Sequence, residues 1–271
     1  MEPLIDAVRI PCKYGETVRI KTLWDLHVGN AACDLPALKK FLDDKESWFI
    51  GGGDWADSII TSDLKRYQKS MDATEGDDII DATTQQLYDL LSPIRDRILA
   101  AGEGNHEQTI EQRCGTHPVK RLCKMLGVPF RGYSYFLPIV FKVGAGEVHR
   151  TFEVTIKAHH GFGGGRTLGA DLTRYYQDLA PYEADIYCFG HTHQKHWTPI
   201  DRLGLSRLHN GKRALVSREQ HIVVCGTFLK TLSDSTVSTY SERKGYRPTS
   251  VGNVTICIKL TEKPPRIWIE R

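Results

Sequence analysis

No cysteine in this sequence stands in a C-x-x-C pair. The seven present, at positions 12, 33, 114, 123, 188, 225 and 257, are odd in number and scattered, which argues against a disulfide framework and against a cysteine-built zinc site. No apolar run approaches the ~18 residues of a membrane span. The opening Met1-Glu2-Pro3-Leu4 has no basic segment leading into an apolar one, so neither a membrane partner nor a secretory leader is expected. A reducing cytoplasm is the expected compartment. Internal repeats and low-complexity linkers are also lacking. The net charge of +3 is too small to argue by itself for a nucleic-acid partner.

What is present is ordinary in bulk. Hydrophobic residues make up 40% and charged residues 25% of 271 positions, enough for a sizeable core in one large domain or two small ones. Along the chain, strand patterns recur and run into polar or glycine-rich corners. Val18–Trp24 reads as a strand ending in Asp25-Leu26-His27, and Ser47–Ile50 as a strand entering Gly51-Gly52-Gly53-Asp54. Phe152–Ala158 ends in His159-His160-Gly161, and Ala184–Phe189 in Gly190-His191-Thr192-His193. Helical spacing predicts helices over Leu35–Asp44, Val119–Leu126 and, longest, Ile79–Leu99, with Pro93 kinking or dividing the last. After it comes Gly102-Glu103-Gly104-Asn105-His106-Glu107. Gln220–Cys225, Asn253–Leu260 and Arg266–Ile269 read as late strands. This mixture predicts a layered α/β architecture on one or two sheets, with the corners at strand C-terminal ends, where ligand sites gather.

The corners supply Asp25, His27, Asp54, Asn105, His106, His160, His191 and His193. Carboxylate, imidazole and carboxamide without thiolate form a donor set for manganese, iron, zinc, nickel or cobalt, with magnesium also compatible. Asp25/His27 and His191/His193 are i,i+2 pairs, which in an extended segment project to one side. The three glycines before Asp54 would let its backbone approach a metal or phosphate. Eight such side chains exceed the needs of one four-coordinate zinc and suit two cations roughly 3.5–4 Å apart.

In content and order, the blocks D-x-H (Asp25, His27), G-D (Gly53, Asp54), G-N-H-E (Gly104 to Glu107), H-G (His160, Gly161) and G-H-x-H (Gly190 to His193) resemble the calcineurin-like metallophosphoesterase family. They span residues 25 to 193, and the last third carries no motif of the family. His160-Gly161-Phe162-Gly163-Gly164-Gly165 is similar to a glycine-rich version found in bacteriophage and prophage members, for which the compartment would be the host cytoplasm. The resemblance implies one domain over 1–271, an α/β fold of two facing sheets flanked by helices, with the strand-rich portion from 194 to 271 completing the sheets. It implies a first metal on Asp25, His27, Asp54 and His193, and a second on Asp54, Asn105, His160 and His191, with Asp54 bridging and manganese first among the candidates. His106 would bind phosphate or protonate the leaving oxygen, beside Asn105. The implied reaction is phosphate-ester hydrolysis by a hydroxide bridging the two cations. Asp57 stands where many members have a second acid, and no ligand role is given to it.

Several readings stay open. Members with H-G use the second histidine of the fourth block and members with H-H-P the first, so His160 is set against His159. Tyr133, Tyr135, Phe136 and Trp197 would stack on a base or simply pack. Gly163-Gly164-Gly165-Arg166 would line a phosphate pocket or form a turn. His117, His149, His196, His209 and His221 belong to no motif. Between Gln194 and Ser250 ten basic residues (Lys195, Arg202, Arg207, Lys212, Arg213, Arg218, Lys230, Arg243, Lys244 and Arg247) face four acids (Asp201, Glu219, Asp234 and Glu242). If that excess faces the cleft, a phosphodiester in DNA or RNA is the expected substrate; if it faces water, a phosphomonoester or phosphoprotein is. An inactive binding scaffold is the third reading, disfavoured because every motif residue is intact.

Overall fold

The computed structural model describes residues 5–60, 78–144, 150–164, 167, 169–179, 181–206, 210–232 and 238–271. In chain order the elements are β1 (Val8–Cys12), β2 (Thr17–Trp24), α1 (Leu35–Leu42), β3 (Trp48–Gly53), α2 (Ile79–Leu91), β4 (Ile98–Gly102), α3 (Asn105–Cys114) and α4 (Pro118–Leu126). They continue as β5 (Phe130–Gly132), β6 (Ser134–Val143), β7 (Arg150–His159), α5 (Ala170–Leu179), β8 (Ile186–Phe189), β9 (Lys195–Leu205) and β10 (Leu215–Thr227). The last are α6 (Tyr240–Lys244), β11 (Gly252–Asn253), β12 (Thr255–Lys259) and β13 (Arg266–Glu270).

Two sheets form. One runs β1-β6-β7-β8-β10-β11 with β9 on β10, and the other runs β13-β12-β2-β3-β4-β5. Ile20, Ile50, Ala100 and Ile256 of the second sheet pack against Ile139, Ile156, Ile186 and Val223 of the first. On the outer face of the second sheet, Leu23, Phe49 and Ala101 meet Leu38 of α1, Leu87 of α2 and Leu122 of α4. On the outer face of the first, Tyr187, Phe189 and Ile222 meet Tyr175 of α5. The result is the expected two-sheet α/β sandwich flanked by helices. β8 is covered on both faces, so its sequence Ile-Tyr-Cys-Phe is an unbroken apolar run rather than an alternation.

Several sequence expectations need correcting. The helix foreseen over Ile79–Leu99 stops at Leu91, a 3-10 turn spans Ser92–Arg97 with Pro93 in its first turn, and Ile98 and Leu99 begin β4. Their apolar spacing fits a helix and a buried strand alike. Gly51 and Gly52 of β3 serve packing: a Cβ on Gly51 would strike the Trp55 ring, and one on Gly52 the Trp24 ring. Asn253–Leu260 is shorter than expected, Thr255–Lys259, and Gln220–Cys225 is part of a much longer strand. All seven cysteines are free. Among the described residues, no helix is long and apolar enough to cross a membrane.

Candidate metal centre

Five strand ends deliver the site. β2, β3, β4, β7 and β8 stop at Trp24, Gly53, Gly102, His159 and Phe189, and the polar blocks follow immediately. β2, β3 and β4 are mutually parallel, as are β7 and β8, so within each sheet these ends lie on one side. The i,i+2 pairs converge, but not through extended backbone. Asp25, His27, Asp54, His191 and His193 all have positive φ, between 50° and 67°. Non-glycine residues visit this region at a cost, and such strain gathers at functional sites. Close approach is enforced by glycine: a Cβ on Gly104 would fall 2.2 Å from Asp54 Oδ1, and one on Gly53, at φ +106°, 2.2 Å from Gly104 N.

Three clusters result among the described residues, and His27, Asp57 and His106 form the third. Asp25, His27 and His193 bring one ligand atom each within 4.8 Å of one another, and so do Asp54, His160 and His191. In the first, His27 Nε2 lies 3.0 Å from His193 Nε2, and Asp25 Oδ1 lies 3.9 and 3.6 Å from these two nitrogens. Asp57 Oδ1, an acceptor, takes the His27 Nδ1 proton at 3.0 Å, so in the neutral ring the Nε2 lone pair faces the cluster. In the second, His160 Nδ1 donates to Gly52 O at 3.0 Å, turning Nε2 to Asn105 Oδ1 at 2.9 Å and Asp54 Oδ2 at 3.3 Å. His191 Nδ1 is 2.7 Å from Asn105 Oδ1, and its backbone N–H donates to Asp25 Oδ2. His159 turns elsewhere: its Nδ1 accepts the Gly161 N–H at 2.8 Å, and its ring packs on Phe162 and Tyr133.

The donor chemistry fits divalent cations. Asp25 Oδ1 is buried with no hydrogen-bond partner, an expensive state for a carboxylate oxygen. The atoms facing it are the Nε2 nitrogens of His27 and His193, at 3.9 and 3.6 Å. Burial pushes the Asp25 carboxyl up to about 7 despite His160 and His27. Burial would depress His27, but Asp57, Asp54 and Asp25 outweigh it and hold the ring at about 9. His160, likewise opposed by burial, is held at about 9 by Asp54 and Asp25. Burial followed by the charge of His160 drives His191 down to about 4. Protons on His27 and His160 thus offset the buried carboxylates, a role that bound cations would take over.

Asp57 and Glu107 were missed as functional residues. Besides His27, Asp57 holds Asn30, and its carbonyl accepts His106 Nδ1 at 2.5 Å. His106 Nε2 then lies 3.9 Å from Asp54 Oδ2. Glu107 accepts the backbone N–H groups of Gly104, Asp54, Trp55 and Ala56. Position alone signalled both: Asp57 follows Asp54 by three residues, and Glu107 closes the G-N-H-E block.

The other candidates resolve toward packing or lie away from the clusters. Tyr135 is buried with its hydroxyl on Gly51 O, Tyr133 donates to Gly161 O, Phe136 packs on Tyr182 and Trp197 on His221. His196 pairs with Asp171 at 2.7 Å, and His117 with Glu111. Arg174 reaches Gly164 O and lies over Gly163; Gly165, Arg166, His149 and His209 lie outside the described residues. Among the described residues, Arg202, Lys212, Arg213 and Arg218 lie away from the site. β10 runs parallel to β8, so its N-terminal half, with Arg218, lies at the end away from His191. Arg202 pairs across from Arg218, and Lys212 and Arg213 lie between these strands. Lys230 pairs with Asp34. At the rim stand Lys195, bonded to Val251 O, and Arg247, bonded to Gln194; Arg207 and Asp234 lie outside the described residues.

No family model matches the chain, and no curated protein matches it. Solved structures do. A metallophosphoesterase from Sphaerobacter thermophilus is 10% identical, with a TM-score of 0.40 over 94% of this chain and 89% of that one. A predicted phosphoesterase from Streptococcus pneumoniae TIGR4 is 14% identical, with a TM-score of 0.35 over 94% and 89%. Vacuolar Protein Sorting 29 from Cryptosporidium parvum is 14% identical, with a TM-score of 0.38 over 94% and 97%. Likenesses this distant carry no argument about activity, and the chemistry of the site stands on its own geometry.

Proposed function

We propose that this protein is a dinuclear, metal-dependent phosphoesterase of the calcineurin-like type, one domain over residues 1–271 whose portion from 194 onward completes the sheets. One observation carries the reading: His/Asp clusters meet at neighbouring strand ends, with a buried carboxylate oxygen of Asp25 that accepts no hydrogen bond. Asp25, His27 and His193 with Asp54 would hold one cation, and Asp54, Asn105, His160 and His191 the other, manganese first for this thiolate-free set. Bound there, the pair would supply Lewis acidity at the phosphoryl oxygens and a water acidified toward neutral pH.

The chain's own residues do the rest. Asp57 fixes the tautomer of His27 through Nδ1 and aims the ring. Its carbonyl orients His106, whose Nε2 is directed to hydrogen-bond the phosphate and, from the protonated ring, to pass a proton to the leaving oxygen. Glu107 holds the turn that carries Asp54. A cytoplasmic setting goes with the free thiols.

Within the phosphate esters we place diesters, DNA or RNA included, ahead of monoesters on a narrower basis than the sequence offered. Arg247, hydrogen-bonded to Gln194 directly after His193, would meet a second phosphate of a polyanion. The test is manganese-reconstituted protein on bis-p-nitrophenyl phosphate, p-nitrophenyl phosphate and a labelled oligonucleotide at two salt concentrations. Faster diester hydrolysis, with oligonucleotide binding that weakens with salt, is expected. Preference for the monoester without oligonucleotide binding overturns the diester reading. Fully metal-loaded protein inert on all three overturns the enzyme and leaves a scaffold.

A further inference from the structure

β9 and β10 outrun the sheet that holds them. β8 pairs with β10 only over His221–Val224, whereas β9 pairs with β10 from Lys195 to Leu205. Residues 200–205 and 215–220 therefore form a two-stranded arm, pointing away from the metal centre. In an antiparallel pair, directly opposed residues share a face. One face carries, from base to tip, Asp201 opposite Glu219, Leu203 opposite Ser217, and Leu205 opposite Leu215. The three leucines are 72%, 59% and 71% exposed. A single exposed leucine needs no explanation. Three contiguous ones on a two-stranded ribbon, a structure only marginally stable in water by itself, mark a surface that is covered.

We propose that this face docks against the same face of a second copy of the chain, giving a two-fold dimer. The charges select that occupant. The leucines have acids at the base, Asp201 and Glu219, and bases at the tip, Lys212 and Arg213. Two arms laid antiparallel across a two-fold axis bring leucine onto leucine and the tip of each over the base of the other. Lys212 and Arg213 then meet Asp201 and Glu219 of the second copy, so the face complements itself, as an isologous interface requires. An anionic lipid surface would be repelled at the base, and a uniformly acidic or basic protein at one end. The acids' own partners are light: Ser217 Oγ at 3.2 Å from Asp201, and His221 Nε2 at 3.4 Å from Glu219.

The experiment is sedimentation velocity of the full chain over a micromolar concentration series, with thermal unfolding alongside. The wild type should dimerise. Leu203→Ser/Leu215→Ser should weaken the dimer by at least about tenfold, or 1.4 kcal/mol, without lowering the monomer's melting temperature. Asp201→Lys/Glu219→Lys should also weaken it, and adding Lys212→Glu/Arg213→Glu in the same chain should restore it. A wild type monomeric throughout, or a dimer indifferent to the leucine pair, overturns the proposal. So does a monomer that floats with vesicles of phosphatidylserine and phosphatidylcholine, which would assign the face to a membrane.

Discussion

The Glu107 carboxylate accepts the backbone N–H of Asp54 at 2.9 Å, and with it those of Trp55 and Gly104 at 2.7 and 2.8 Å. One buried side chain thus ties the turn after β3, where Asp54 sits at φ 51°, to the first turn of α3. Glu107→Gln replaces an acceptor oxygen by an amide N–H facing these donors. Leaving a buried donor unsatisfied costs about 1–3 kcal/mol. The variant should melt earlier and bind manganese more weakly, read by thermal unfolding and metal titration. Unchanged metal affinity in a folded variant would mean that Glu107 does not position Asp54.

His106 and Asp57 separate chemistry from ligation. His106→Ala should retain the metals and lose roughly 10²–10⁴ in turnover, the range for a lost general acid. Asp57→Asn should instead weaken metal binding by roughly 10–100-fold, because the His27 tautomer and ring orientation are no longer fixed. Metal content and kcat measured on both variants decide the matter. A His106→Ala protein that emerges without metal would recast His106 as structural. Unchanged turnover on a poor leaving group would remove its acid role.

How far the sequence could be read depended on whether a feature was local. The five polar blocks each follow a strand, and adjacency along the chain was enough to find them. Their left-handed backbone was invisible, because Asp25, His27, His191 and His193 carry no glycine-like mark. β6, one of the longest strands, was not foreseen because a proline within a run argues against a strand; its alternation runs unbroken through Pro138, and β1 begins to pair only at Ile139. The reach of charge was misjudged for a related reason. Arg202 and Arg218 follow the metal motif in sequence but lie at the far end of β9 and β10, since a long antiparallel hairpin carries residues away as fast as it adds them.

Metal uptake should release protons. His27 and His160 are held at about 9 and Asp25 at about 7 in the metal-free chain. Near pH 7 both rings are protonated, yet ligation requires their neutral form. Affinity should therefore climb as pH rises from 6 toward 9, as these groups lose their protons, and level off above. Calorimetric titration in two buffers of different ionisation enthalpy reads the proton count directly. Binding that is independent of both buffer and pH would show that these imidazoles are not ligands.

Asp54 should differ from every other acid of the site in what its loss removes. It is buried, its Oδ1 is held by the His106 backbone N–H at 3.0 Å, and its Oδ2 lies 3.3 Å from His160 Nε2. The charge of His27, in the other cluster, also acts on it, and against burial these imidazoles hold its carboxyl well below the usual range. A carboxylate has lone pairs enough for two cations, so Asp54→Ala should weaken both sites, whereas His193→Ala, in the Asp25 cluster alone, should weaken one. Elemental analysis after manganese reconstitution should give two ions per chain for the wild type, about one for His193→Ala and fewer for Asp54→Ala. If active wild type carries a single ion, the dinuclear centre is wrong. If Asp54→Ala keeps one site at wild-type affinity, Asp54 does not bridge.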